Sequence, residues 1–275
     1  MNNEQEKHQK GHQKKQKKAK KPLILVVNDD GIDAKGIRVL GEIARQFGRV
    51  VMVGPSSGRS GMSHAISFSV PLRLRRVYYA EDFEIYKTNG TPVDAVKLAL
   101  RHLLKDQHVD LLVSGINQGS NTSVSVFYSA TVAAALEGCL CGIPSVAFSM
   151  VDYNHNSDFE SSKAGATKII EEVLKKGLPK QTCLSVNIPN IPAKDLKGIK
   201  IARQARNFWQ ENLEARNDPH NSQYFWMSGS LKEIDKKRDT DLWAVNHNYI
   251  SIQPIKADLT DYEMMQELKD WKIKL

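Results

Sequence analysis

Five short apolar runs recur along the chain: PLILVVN (22–28), RVVMVGP (49–55), VDLLVSGIN (109–117), IPSVAFS (143–149) and TCLSVNIP (182–189). Runs of this length without polar alternation predict strands covered on both faces, as when helices flank a parallel sheet. The stretches between them supply the helices. AKGIRVLGEIARQF (34–47) places Ile37, Leu40, Ile43, Ala44 and Phe47 on one face, and TPVDAVKLALRHLLK (91–105) carries Pro92 in its first turn, where no N–H is needed. SATVAAALEGCLCG (129–142) and DFESSKAGATKIIEEVLKKG (158–177) complete the set. Only VPLRLRRVYYA (70–80) and EIYKTN (84–89) alternate, which predicts an antiparallel excursion. The pattern is that of an α/β core, a mostly parallel, doubly wound sheet flanked by helices, over residues 23–190.

Beyond residue 190 the character changes. IKIARQA (199–205), SQYFWMSG (222–229) and YISIQPI (249–255) are strand-like, and DYEMMQELKDWKIKL (261–275) closes as an amphipathic helix. Residues 191–275 are expected to form a β-rich arm with a terminal helix. Its tryptophans favour packing on a partner subunit, and ordinary core packing is the competing reading.

With 275 residues, 41% of them hydrophobic, the chain is long enough for one sizeable core. The formal charge of +8 suggests a nucleic-acid partner until its distribution is considered. Residues 1–22 hold eight Lys and two Glu, a net +6, which leaves +2 for the remainder. This segment has no apolar run, so it reads as neither signal peptide nor anchor but as a solvated, disordered tail. Contact with nucleic acid is expected to be weak and confined to it. No apolar stretch approaches the length needed to cross a bilayer. Cys139, Cys141 and Cys183 are an odd number in a chain with no secretory signal, which points to free, packed thiols in a reducing cytoplasm.

In an open parallel sheet, ligands bind beyond the carboxyl ends of the strands. Three of those ends are unusually polar: N-D-D-G (28–31), P-S-S-G-R-S-G (55–61) and S-G-I-N-Q-G-S-N (114–121). Adjacent carboxylates repel unless a cation neutralises them. An oxygen-only donor set without His or Cys suits a hard ion such as Mg²⁺, Mn²⁺ or Ca²⁺. Ser60 and Asn117 are the candidate neutral ligands beside Asp29 and Asp30, and an incompletely neutralised ion with open positions would attract phosphate. Ser129 and Thr131, at the start of a predicted helix, add an anion site, while Gly115 and Gly119 allow the backbone to approach a ligand closely. A receiver domain also opens on paired acids, but its phosphoacceptor Asp is missing from the later strand ends. A dinucleotide fold is disfavoured because no G-x-G-x-x-G follows the first strand.

Taken in order, NDDGIDAKGI (28–37), GRSGMSHAIS (58–67), NGTPVDAVKLAL (89–100), VSGINQGSN (113–121) and YSATVAAALEG (128–138) resemble the SurE (survival protein E) family of 5'/3'-nucleotidases. The resemblance covers roughly residues 23–260. It implies a Rossmann-like core and a divalent-metal-dependent phosphomonoesterase acting on nucleoside monophosphates, with 3'-nucleotides and short polyphosphate as further substrates. A non-catalytic nucleotide- or metal-binding regulator is the alternative. Carried over, Asp29 and Asp30 are the catalytic residues, and Asp29, Asp30, Ser60 and Asn117 are ligands of one Mg²⁺ or Mn²⁺ per subunit. Asn117, Gly119, Asn121, Ser129 and Thr131 lie at the phosphate. The resemblance also implies a homodimer with exchanged arms, paired again into a tetramer. It leaves open whether a carboxylate orients water or attacks phosphorus itself. His64 is a candidate acid, His247 has no role, and Asp241 matches a Thr-Asp pair of the C-terminal part. Ala130 stands where the family usually has Gly, and its methyl is expected to narrow the pocket or shift the helix start.

Overall fold

The computed structural model describes residues 21–152, 157–271 and 273; the lysine-rich segment 1–20 and its expected disorder lie outside the described residues. The central strand β1 (Leu23–Val27) runs parallel to β2 (Arg49–Pro55) on one side and β5 (Leu111–Gln118) on the other. Adding β3 (Leu74–Ala80), β4 (Phe83–Thr88), β6 (Ser145–Val151), β7 (Thr182–Pro189), β8 (Ile199–Ile201) and β11 (Ile250–Lys256) makes one nine-stranded sheet, ordered β3-β4-β2-β1-β5-β6-β7-β11-β8. The antiparallel excursion is present as β3 paired with β4 at the sheet edge.

Side-chain alternation along β1 assigns the helices to layers. Ile24 and Val26 pack into one cluster with Ile37, Leu40 and Ile43 of α1 (Lys35–Arg45) and Ile169 and Ile170 of α4 (Glu160–Lys176). Leu25 and Val27 face the other side, against Ala95 and Val96 of α2 (Pro92–Leu98) and Ala134 of α3 (Ala130–Leu140). Burying each such large aliphatic side chain contributes roughly 1.5–3 kcal/mol, so the double coverage is what holds β1 in place. No helix among the described residues is long and apolar enough to cross a membrane.

Several elements differ from the sequence reading. The helix expected over 91–105 starts on a Thr91–Asp94 capping box but widens into a π-helical turn at Ala99–Leu103. The strand expected over 199–205 is limited to Ile199–Ile201. A strand absent from the expectation, β9 (Phe208–Asn217), pairs antiparallel with β10 (Gln223–Lys232) in a separate hairpin. A short helix, α5 (Asp241–Asn246), was likewise not anticipated. Beyond residue 190, β8 and β11 continue the core sheet, with β11 antiparallel to β7. The hairpin, α5 and α6 (Tyr262–Asp270), the last of which buries none of its residues, lie outside that sheet. Cys139 and Cys183 are buried and free as expected, whereas Cys141 is exposed at the end of α3 instead of packed.

Candidate active site

Because β1 sits between β2 and β5, chain order reverses direction across it, and a crevice opens beyond its carboxyl end. Asn28, Asp29, Asp30 and Gly31 follow β1 into that crevice. Gly31 has φ +105°, a conformation that side chains rarely adopt, and the turn is closed by Asn28 Nδ2 donating to the Gly31 carbonyl at 2.8 Å. Ile32 N–H then bonds the Pro55 carbonyl at 2.9 Å, which ties the turn to the end of β2.

The loop after β2 folds back over the acids. Arg59 N–H donates to the Asp29 carbonyl at 2.7 Å, and the exposed Ser60 follows directly. From the other side, the end of β5 approaches through a register break between Ser114 and Asn117. A Cβ on Gly115 would lie 2.3 Å from the Phe148 carbonyl oxygen, so glycine is required where β5 presses against β6. Past the break, Asn117 Nδ2 donates to the Gly119 carbonyl at 2.8 Å, which leaves its amide oxygen as the atom it can offer a ligand. Gly119 N–H bonds Met150 O at 2.9 Å. Gln118 supplies a backbone N–H to the Asp30 carboxylate.

The third side is the start of α3. Ser129 is the N-cap, its Oγ accepting from Val132 N–H at 3.1 Å, and Thr131 Oγ1 donates to the Asp29 carboxylate. Ala130 is fully buried as the first helical residue behind that cap. The N–H groups of Ala130 and Thr131 are those an α-helix start leaves for an anion.

Asp29 is only 3% exposed, and burial raises its pKa against the opposing hydrogen bond from Thr131. Asp30 is pushed up to about 7, first by burial and then by the charge of Asp29, with the Gln118 N–H opposing. Both carboxylates are therefore held where a proton or a cation is strongly favoured. Among the described residues no group of three or more His, Cys, Asp and Glu could hold a metal ion. A cation here would depend on two carboxylates and neutral oxygens.

Of the supporting layer, sequence reasoning named Asn121, Asp241 and His64 but missed Ser149, Asn187 and Glu137. Asn121 N–H donates to Asn187 Oδ1 and its Nδ2 to Ser149 Oγ, both at 2.8 Å, so the donors of Asn121 turn toward the strand ends. Ser149 and Asn187 are polar residues near the carboxyl ends of β6 and β7, a signal visible in IPSVAFS and CLSVNIP. Asp241 is buried and accepts from the N–H groups of Ser123, Ala205 and Leu242 at 2.7–3.0 Å, so it fixes the segment leading to Ser129. His64 Nε2 lies 3.1 Å from Glu137 Oε2, and Lys97 Nζ is 2.5 Å from the other oxygen. These two neighbours, the His64 hydrogen bond foremost, hold the Glu137 carboxyl at about 2 despite its burial. His247 stacks on Trp243 with ring centroids 3.9 Å apart and bonds the Trp243 carbonyl.

The family described as Survival protein SurE matches residues 24–211 through its sequence model. The chain is 45% identical over 255 residues to a 5'-nucleotidase SurE of Chlorobium limicola, covering 93% of this chain and 98% of that one. It is 47% identical over 253 residues to a 5'-nucleotidase SurE of Cytophaga hutchinsonii, at 92% and 98% coverage. The crystal structure of the SurE protein from Aquifex aeolicus is similar with a TM-score of 0.80 at 38% identity, covering 92% of this chain and all of that one. On the match of its family model, its relatives and its fold, this chain belongs to the SurE family.

Proposed function

We propose that the protein is a phosphomonoesterase that hydrolyses nucleoside monophosphates at the β1/β5 edge. The observation that carries this reading is the placement of Asp29, buried, beside Asp30, half-buried, both flanked by the start of α3. Relatives of near-half identity bear the name 5'-nucleotidase.

The donor set fits a hard divalent cation, Mg²⁺ or Mn²⁺, one per subunit: Asp29, Asp30, Ser60 and Asn117 offer oxygen, and among the described residues no cationic side chain acts on the paired carboxylates. When bound, such a cation supplies positive charge against the negative charge that builds on the phosphoryl group. The chain's own part is positioning. Ser129 holds the start of α3 so that its N–H groups face the phosphate, beside Asn117 at the end of β5 and Gly119 and Asn121 on the turn that follows. Thr131 fixes Asp29 in one orientation. Asp30, the less buried carboxylate, orients the attacking water. Inversion of a chiral phosphorus centre is expected for this route; retention would indicate attack by a carboxylate.

Phosphate release from a panel of nucleoside monophosphates, assayed with EDTA, Mg²⁺ and Mn²⁺ in parallel, tests the reading. Release that requires the cation supports it. Silence across the panel would leave a non-catalytic nucleotide- or metal-binding regulator as the better description. The panel also reports whether 3'-nucleotides and short polyphosphate are substrates.

The natural partner of the β9–β10 hairpin and α6 is a second copy of the chain. Leu213, Phe225, Trp226 and Met227 on the hairpin are 58–73% exposed, an apolar surface suited to a homodimer or a pair of dimers. Light scattering on the full chain and on a 208–232 deletion measures this directly. Three unpaired cysteines suit a cytoplasmic setting.

A further inference from the structure

Strand β3 ends the nine-stranded sheet, so one of its edges has no strand beside it. Arg73, Arg75 and Arg76 are exposed along it, and Val77, Tyr78 and Tyr79 are 50–61% open to solvent. Charged side chains and a bulge, present here between Arg76 and Tyr78, are the usual protection of a sheet edge against pairing with another strand. Two solvent-facing tyrosine rings are no part of that protection.

The positive charge of this edge is not answered from within the fold. Arg75 stands directly opposite Lys87 of β4, a like-charge pair that is unfavourable across a sheet. Among the described residues neither is in an ion pair, nor is Arg73, because the nearby acids bond other cations. Asp82 bonds Arg45 through both oxygens at 2.9 and 3.0 Å, and Glu84 bonds Arg49 at 2.6 Å and the Tyr86 hydroxyl at 2.7 Å. Of the acids between residues 70 and 89, Glu81, exposed in the β3–β4 turn, is the one left without a cation among the described residues. The register puts Arg75 and Tyr78 on one face of β3 and Arg76 and Tyr79 on the other. Arg76 lies over the Tyr79 ring, 5.0 Å from its centroid, so cation and aromatic plane are held together.

The strip joins two other basic features across roughly 20 Å, the length of a seven-residue strand. At the β3–β4 turn, Arg45 foremost and Lys21 by its charge hold the Asp82 carboxyl below its ordinary range, and Arg49 N–H bonds the Pro22 carbonyl at 2.9 Å. The lysine-rich segment therefore joins the fold beside this turn. At the other end Arg73 N–H bonds Asn89 Oδ1 at 2.7 Å, and Arg59, from the loop over the acids, bonds the Asn89 carbonyl at 3.1 Å.

We propose that β3 is a docking surface for single-stranded nucleic acid, with phosphates on its arginines and Lys87 and bases against Tyr78 and Tyr79. Cations that track a backbone beside exposed aromatic rings are what binds single strands without regard to sequence. A duplex keeps its bases stacked inside, and a lipid surface has none to offer. The surface carries the weak contact expected of the lysine-rich segment onto the folded body, and it is independent of the phosphomonoesterase reading.

Fluorescence anisotropy of a labelled oligouridylate without a terminal phosphate, titrated with the full chain between about 50 and 200 mM salt, tests the surface. Arg73→Ala, Arg75→Ala and Arg76→Ala combined are expected to weaken binding about 10-fold or more. They should also lower the slope of log affinity against log salt by about 2, at roughly 0.7 for each phosphate contact on a single strand. Tyr79→Leu is expected to weaken binding about 10-fold with the slope unchanged, the mark of lost stacking. Its position is exposed, so it decides alone if the arginine variant melts early by circular dichroism. Changing the eight lysines of residues 1–22 to Gln should lower the slope further and leave the effect of Tyr79→Leu in place. Three results would each overturn the proposal: no binding by the wild type at the lower salt, binding that responds to the lysine changes alone, or preference for a duplex or for phosphatidylserine vesicles with Tyr79→Leu silent.

Discussion

Thr131 donates its hydroxyl to the carboxylate of Asp29, joining the first turn of α3 to the end of β1 across 102 positions of sequence. Both side chains are buried, so the bond fixes the acid and the phosphate-facing helix start as one unit.

Thr131→Val keeps the shape and removes the donor. The Asp29 oxygen is then buried without its partner, which is expected to cost about 1–3 kcal/mol in a urea titration. Phosphate release should fall about 10- to 100-fold, the usual effect of losing a group that orients a ligand-binding side chain. Thr131→Ser should recover most of both.

Asp30 sets a pH dependence whose sign is unusual for an acid. Its carboxyl lies at about 7 in the folded chain against an ordinary 3.8, so between those values the folded state holds a proton that the unfolded state releases. Stability of the EDTA-treated protein is therefore greatest below about pH 4 as far as this group is concerned, and falls as pH rises to 7. Urea midpoints across that window should show the decline, and Mg²⁺ should flatten it. Asp30→Asn is expected to be more stable than wild type at pH 8 without cation and to release no phosphate.

Glu137 has the opposite sign. Its carboxyl sits at about 2, below the ordinary 4.5, held chiefly by His64 with help from Lys97. Its stabilising effect is complete above pH 4.5 and is lost as pH falls toward 2. Acid unfolding monitored by circular dichroism should show a shallower dependence over that window in Glu137→Gln. The same variant should leave the His64 ring less ordered, which is visible as a broadened imidazole resonance.

Gly115→Ala would place a methyl 2.3 Å from the Phe148 carbonyl oxygen at φ +124°. Backbone must move, and Asn117 lies two residues on. A loss of at least about 2 kcal/mol is expected, together with a fall in phosphate release larger than the stability change explains.

The core was legible because its signal is local and repeated. LILVV reads as a strand buried on both faces and is one, and the paired acids after it fall at the switch point that strand order creates. The loops of Ser60 and Asn117 were traceable because polar residues at strand ends are conspicuous after apolar runs. Ser149 and Asn187 carry the same signal in weaker form, single polar residues closing otherwise apolar strands. The Phe208–Asn217 strand was not legible: WQENLEAR is charged on both faces, as suits a hairpin standing away from the core, and periodicity has nothing to report there. The short helix at Asp241 starts on a local cap, Thr240 Oγ1 accepting from Trp243 N–H, but its place is fixed by the Asp241 carboxylate, which accepts the backbone N–H groups of Ser123 and Ala205 from distant segments. No window of sequence contains those contacts.

The loop over the acids is attached at Asp29 through Arg59 N–H to a carbonyl, a bond between main chains that any residue except proline at position 59 can make. Its neighbours Met62, Ser63 and His64 can therefore be exchanged one at a time without unfastening the loop from β1. Evolution, or a protein engineer, can refit what this flap presents to the substrate while the hinge pin stays where it is.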